Sequence, residues 1–157
     1  MNKLALKEEL MSALAADLET LERAHRASVE GATHEQAKPE NDKDTRALEQ
    51  SYLARGQAKR AGELREGLAA VRRMELRAFP ADQPIDVGAL VTAKEGQRTV
   101  QFWVALHGGG ARLASGSVQV VTPKSPLGEA IIGKRVGEEC EVLTRGTRRE
   151  FELVGIE

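Results

Sequence analysis

Glu35-Gln36-Ala37-Lys38-Pro39-Glu40-Asn41-Asp42-Lys43-Asp44 is a polar stretch between two long segments of helical periodicity. Pro39 cannot continue a helix, because it lacks an amide hydrogen and its ring collides with the preceding turn. Before the break, Leu10, Leu14, Leu18 and Leu21 recur at spacings of four, four and three, one apolar stripe on a helix. That helix is predicted from Lys3 to near Glu30, with Gly31 as its terminator. After the break, Asn41 with Asp44 reads as an N-terminal cap, and acids suit that end of a helix dipole. Ala61, Leu64, Leu68, Val71 and Ala78 continue an apolar seam, and Ala47, Leu48, Ala54 and Ala58 make it small towards the turn. Gly56, Gly62 and Gly67 each cost roughly 1 kcal/mol relative to alanine, yet the spacing persists through them. Two such helices joined by a short turn pack antiparallel. The expectation is a coiled-coil hairpin over residues 1–79 with an acidic tip at 35–44.

Outward from the hairpin, Phe79-Pro80-Ala81-Asp82-Gln83-Pro84 marks a boundary, and apolar periodicity then moves towards two. Strands are predicted at 87–93, 99–106, 118–121, 140–143 and 150–156, the last two joined across Arg145-Gly146-Thr147. Residues 127–132 read as a short helix or turn. The class is α+β: a helical hairpin, then a small, mostly antiparallel sheet domain with one short helix over residues 80–157.

The 157-residue chain carries a net charge of -1, so no global field favours nucleic acid. Residues 1–79 hold 14 basic and 14 acidic side chains, so any electrostatic function is local. Cys140 is the one cysteine and has no partner for an internal disulfide. With no signal core and no run long enough for a membrane, this points to a cytosolic protein.

The segment Ser125-Pro126-Leu127-Gly128-Glu129-Ala130-Ile131-Ile132-Gly133-Lys134-Arg135-Val136-Gly137-Glu138-Glu139 resembles the C-terminal signature of Gre-type bacterial transcription elongation factors. The hairpin, polar tip and linker extend that resemblance over nearly the whole chain. Read from the residues alone, Pro126 starts a helix where its missing N–H costs nothing. Ile131 and Ile132 face a core, and Gly133 permits a left-handed stop. The resemblance implies an FKBP-like domain docked on RNA polymerase at its secondary channel, with Ser125 and Pro126 in the docking region. It implies that the hairpin tip reaches the catalytic centre; a monomer is expected. There the tip helps hold Mg²⁺ jointly with the polymerase, for cleavage of the extruded RNA 3′ end of a backtracked complex. Carboxylates fit that task, because Mg²⁺ takes hard oxygen ligands and keeps several waters. The candidate ligands are Glu40, Asp42 and Asp44. The factor would activate another enzyme's reaction and have no catalytic residues of its own.

The family's tip reads acid-x-x-Glu-Asn followed by a tyrosine. Aligned on Glu40 and Asn41, the first acid falls at Ala37, Pro39 enters the middle, and the tyrosine position falls at Asp44. A regulator that occupies the same channel without stimulating cleavage therefore stands beside the activator, and a plain coiled-coil adaptor stands behind both. Between residues 46 and 77 the second helix carries eight basic against four acidic side chains. Such an excess can guide an RNA strand, and Arg46 and Arg55 lie nearest the tip. A prolyl isomerase fits poorly: Phe102 and Trp103 are adjacent in a strand and face opposite ways.

Overall fold

The computed structural model describes residues 1–36 and 45–157, with side chains described for 1–31 and 46–157. Helix α1 spans Lys3–Gln36 and helix α2 spans Thr45–Arg73. Asn2 caps α1, its side-chain oxygen accepting from the Leu4 amide at 3.0 Å. Gly31 does not stop α1; the helix runs five residues past it, to Gln36. A Cβ built at Gly31 would lie 2.5 Å from Oε1 of Gln50, so the glycine makes room for an α2 side chain. Among the described residues, no helix is long and apolar enough to cross a membrane.

The chain divides into two compact units, Ser12–Leu68 and Met1–Met11 together with Ala69–Glu157. In the first, the helices run antiparallel: Glu22 accepts from Arg65 at 2.7 Å, while Gly31 sits against Gln50. Leu14, Ala54 and Ala61 are buried, and Leu18, Leu21, His25 and Ser28 are half-buried along α1. On α2 the inward positions are Ala47, Ala54, Ala61 and Leu68 at sevenfold spacing, interleaved with Gln50, Gln57 and Leu64. Leu48 and Ala58, read from sequence as seam residues, are exposed. The glutamines take the place they were expected to fill, because the small alanines leave space for a longer side chain.

The second unit is built on one six-stranded sheet, of β1 (Leu90–Glu95), β2 (Arg98–Val104), β3 (Arg112–Leu113), β4 (Val118–Val121), β5 (Glu139–Thr144) and β6 (Thr147–Ile156). The strand order is β3-β4-β2-β1-β6-β5. The pair β2–β4 is parallel, because β3 and its turns carry the chain back before β4 begins, and the other pairs are antiparallel. Helix α3 (Pro126–Ile131) connects β4 to β5. The β5–β6 turn is tighter than expected: Thr144 pairs with Thr147, leaving Arg145 and Gly146 at φ 51° and 76°. Two left-handed residues make the type I′ turn that matches strand twist.

One sheet face carries Val91, Ala93, Phe102, Val104, Val121, Phe151 and Leu153, packed with Phe79, Ile85, Leu127 and Ile131 in one core. Phe102 and Phe151 meet edge to face, with centroids 5.5 Å apart. The opposite face carries Leu90, Trp103, Leu113, Val118 and Val120, all buried. Leu6, Leu10, Val71 and Met74 are the buried apolar residues of α1 and the α2 end available to this unit's second face. Lys7 donates to the Met74 carbonyl at 2.7 Å, and Glu9 accepts from the Ala114 amide at 2.9 Å. Lys3 donates to the Arg77 carbonyl and lies over the Phe79 ring. Burial first, and Arg77 after it, hold the Lys3 ammonium below its usual pKa, against the pull of Glu157.

Candidate functional site

The Ser125–Pro126 junction is built by a helix cap. The Ser125 hydroxyl donates to the Thr122 carbonyl at 2.7 Å and accepts from the Gly128 amide at 3.1 Å. Both capacities of the side chain are thus engaged, and Ser125 is half-buried. Pro126 at the first helical position is exposed. Gly128 is buried, and a Cβ there would lie 1.9 Å from the Thr122 oxygen. Glycine is needed because backbone passes where a side chain would start. Nothing in the local spacing of Ser125 and Gly128 announces this close approach, which comes from the turn that brings the Thr122 carbonyl onto Gly128. Of the two isoleucines, Ile131 is fully buried and Ile132 only partly. Gly133, at φ 83°, returns the chain to Ile85, its amide donating to the Ile85 carbonyl at 2.8 Å.

Next to this junction is a mainly apolar hollow of about 570 Å³ bounded by Leu106, His107, Gly108, Gly109, Thr122, Pro123 and Lys124. Gly108 is left-handed at φ 85° and its Cα faces a Leu10 methyl, which a Cβ would approach to 2.6 Å. A smaller cleft of about 140 Å³ runs between α3 and the sheet, lined by Ser125, Leu127, Val142, Arg149 and Phe151 among others. At its edge Arg149 holds Glu95 with two hydrogen bonds, of 2.6 and 2.9 Å, and lies over the Phe151 ring. The hydrogen bond from Arg149 keeps the Glu95 carboxyl below the usual carboxylate range, and the same bond raises the Arg149 pKa. Burial pushes the Cys140 thiol up, which makes it a poor nucleophile.

On the other unit, Arg46 and Arg55 are both exposed on α2. Arg55 lies over the ring of Tyr52, 5.8 Å from its centroid. Phe102 and Trp103 point to opposite sheet faces, as their adjacency required. Glu40, Asp42 and Asp44, with Ala37 and Pro39, lie outside the described residues. Among the described residues no group of three or more histidine, cysteine or acidic side chains could hold a metal ion.

The profile of the GreA/GreB transcription elongation factor C-terminal domain matches residues 81–157. A transcription elongation factor GreA from Syntrophus aciditrophicus (strain SB) is 34% identical over 117 residues, spanning 74% of this chain and 69% of that protein. Among solved structures, GreA factor homolog 1 of Thermus thermophilus is 18% identical, with 94% of each chain covered and a TM-score of 0.42. A GreA/GreB elongation factor from Nitrosomonas europaea is 16% identical over 73% of this chain and 94% of its own, with a TM-score of 0.39.

Proposed function

From the premise that this chain belongs to the GreA/GreB family of transcription elongation factors, we propose that it binds RNA polymerase at the secondary channel and stimulates cleavage of backtracked transcripts. The observation that carries this reading is a C-terminal domain of that family on the same chain as an antiparallel helix pair whose connecting residues include Glu40, Asp42 and Asp44. Carboxylates suit Mg²⁺, which these three would hold together with the polymerase. When bound, the ion supplies charge stabilisation at the attacking and leaving oxygens. The chain's own part is to position those carboxylates, to place Arg46 and Arg55 along the displaced RNA 3′ segment, and to dock through the Ser125–Pro126 junction. The exposed Pro126 and the hollow before it support docking there. The reaction itself belongs to the polymerase, and the factor works in the cytoplasm as a monomer.

The test is transcript cleavage in a stalled, backtracked complex with Mg²⁺. Release of short 3′ fragments, lost in Glu40→Ala, is the expected result. A second reading has its own observation: Ala37 stands where the family places an acid. A non-cleaving occupant of the channel would slow elongation and release no fragments. Retention of core polymerase on the immobilised protein tests the docking surface, and Pro126→Asp is expected to lower it without changing the melting curve.

A further inference from the structure

We propose that the free edge of β5 takes a basic, extended segment of a partner protein as an added strand, its lysines or arginines lying across the glutamates of the β5–β6 hairpin. β5 is the outermost strand at its end of the sheet, with β6 on one side only. Thr144 and Thr147 close the hairpin across a two-residue turn, so Val142 and Cys140 exchange backbone hydrogen bonds with Arg149 and Phe151. The alternate residues Glu139, Glu141 and Leu143 therefore turn their N–H and C=O groups away from β6. All three are exposed, Leu143 at 68%, and among the described residues no backbone group outside the hairpin bonds to them. Such a row of unpaired groups is a template for a further strand.

The side chains of the hairpin select the occupant. Glu139 lies opposite Glu152, and Glu141 opposite Glu150. Like charges set directly opposite destabilise a strand pair, so the hairpin itself gains nothing from them. With Lys94 and Gly96 they bound a shallow hollow of about 430 Å³. Arg148 shows what the face accepts: its guanidinium meets Glu141, and its Nε lies 3.5 Å from Glu150, so one cation spans both strands. Among the described residues Glu139 and Glu152 are in no ion pair. Charges on an outer strand guard it against pairing with further copies, and Glu139 and Glu141 are placed for that. Glu150 and Glu152 lie on the inner strand β6, where no edge needs guarding, and the exposed Leu143 weakens any guard. Two copies joined along β5 would set glutamate against glutamate. A strand with cations at alternate positions sets each one beside a carboxylate. Leu127 packs with Cys140 and Val142 on the other face of β5, so this face is separate from α3 and from the docking proposed at Ser125.

The test uses the full chain and labelled peptides of about ten residues, followed by fluorescence polarisation at low salt. One peptide alternates lysine with threonine, a second has the same composition with its lysines in a block, and a third is the alternating peptide with its backbone amides N-methylated. The alternating peptide is expected to bind about tenfold more tightly than either of the others. Glu139→Gln and Glu152→Gln should each weaken it about threefold and lower its salt dependence. Glu141→Gln removes only a charge. Glu141→Pro also removes an outward N–H, at an edge position where no bond to β6 is lost, and should bind more weakly than Glu141→Gln. Where Glu141→Pro fails to fold, the N-methylated peptide removes the same hydrogen bonds from the ligand's side. Equal affinity for alternating and block peptides, undiminished affinity of the N-methylated peptide, or no binding at all overturns the proposal. A wild-type dimer in sedimentation that Glu141→Pro abolishes assigns the edge to a second copy and equally overturns it.

Discussion

Gly128 has no room for a side chain, and the Ser125 hydroxyl beside it both donates and accepts within the same turn. Gly128→Ala pushes a carbon into the Thr122 carbonyl and is expected to cost about 3 kcal/mol, read from urea denaturation. Ser125→Ala removes a helix cap and should cost about 1 kcal/mol by the same measurement. The gap between the two separates backbone collision from a lost cap. The Glu95–Arg149 pair gives a pH signature. The folded Glu95 carboxyl titrates below the unfolded one, so above the unfolded value both states are ionised and the pair's stabilisation is fully present. As pH falls, the unfolded chain takes up the proton first, and the stabilisation drains away until pH passes the folded value. Melting temperature followed from pH 7 down into the carboxylate range, about 4, should therefore fall less steeply in Glu95→Gln than in the wild type.

At the scale of elements, the hairpin seam mixes alanines with glutamines. The amide oxygens of Gln50 and Gln57 and Nδ1 of His25 are shielded from solvent without a protein partner. A shielded unpaired acceptor costs stability, so Gln57→Leu should stabilise the hairpin by about 1 kcal/mol. Hydrogen exchange of α2 amides around Gln57 is the measurement, and unchanged protection would contradict the seam as described. Helix existence and the strand at 118–121 were legible from periodicity alone, since the spacing of apolar residues tells a helix from a strand. The end of α1 and the seam of α2 were not. Gly31 carries a stop signal locally, but Gln50 occupies the space beside it and the helix continues. Leu48 looks like core by its side chain, yet its angular position puts it on the outward face. The two-residue strand β3 has too few residues to show any period.

At the scale of the molecule, the sheet unit includes the first eleven residues, which the linker at 79–84 gave no reason to expect. Trp103 is the only tryptophan and is fully buried on the sheet face opposite the main core. Removing residues 1–11 should shift its emission to the red and lower the melting temperature, because Leu6 and Leu10 are lost with them. An unshifted spectrum would show that α1 contributes nothing to that face. The candidate site was only partly readable. Ser125, Pro126, Arg46 and Arg55 could be named from motif and charge, whereas the stacking of Arg55 on Tyr52 needed the angular placement of both. By itself the sequence determined the helix pair, the α+β class and the family, because periodicity and a contiguous signature are properties of neighbouring residues. Only the tertiary structure decided which faces those elements bury, where Gly128 lets backbone pass backbone, and that β2 and β4 run parallel. Those depend on residues distant along the chain, whose approach is set by the packing of whole elements rather than by any local preference.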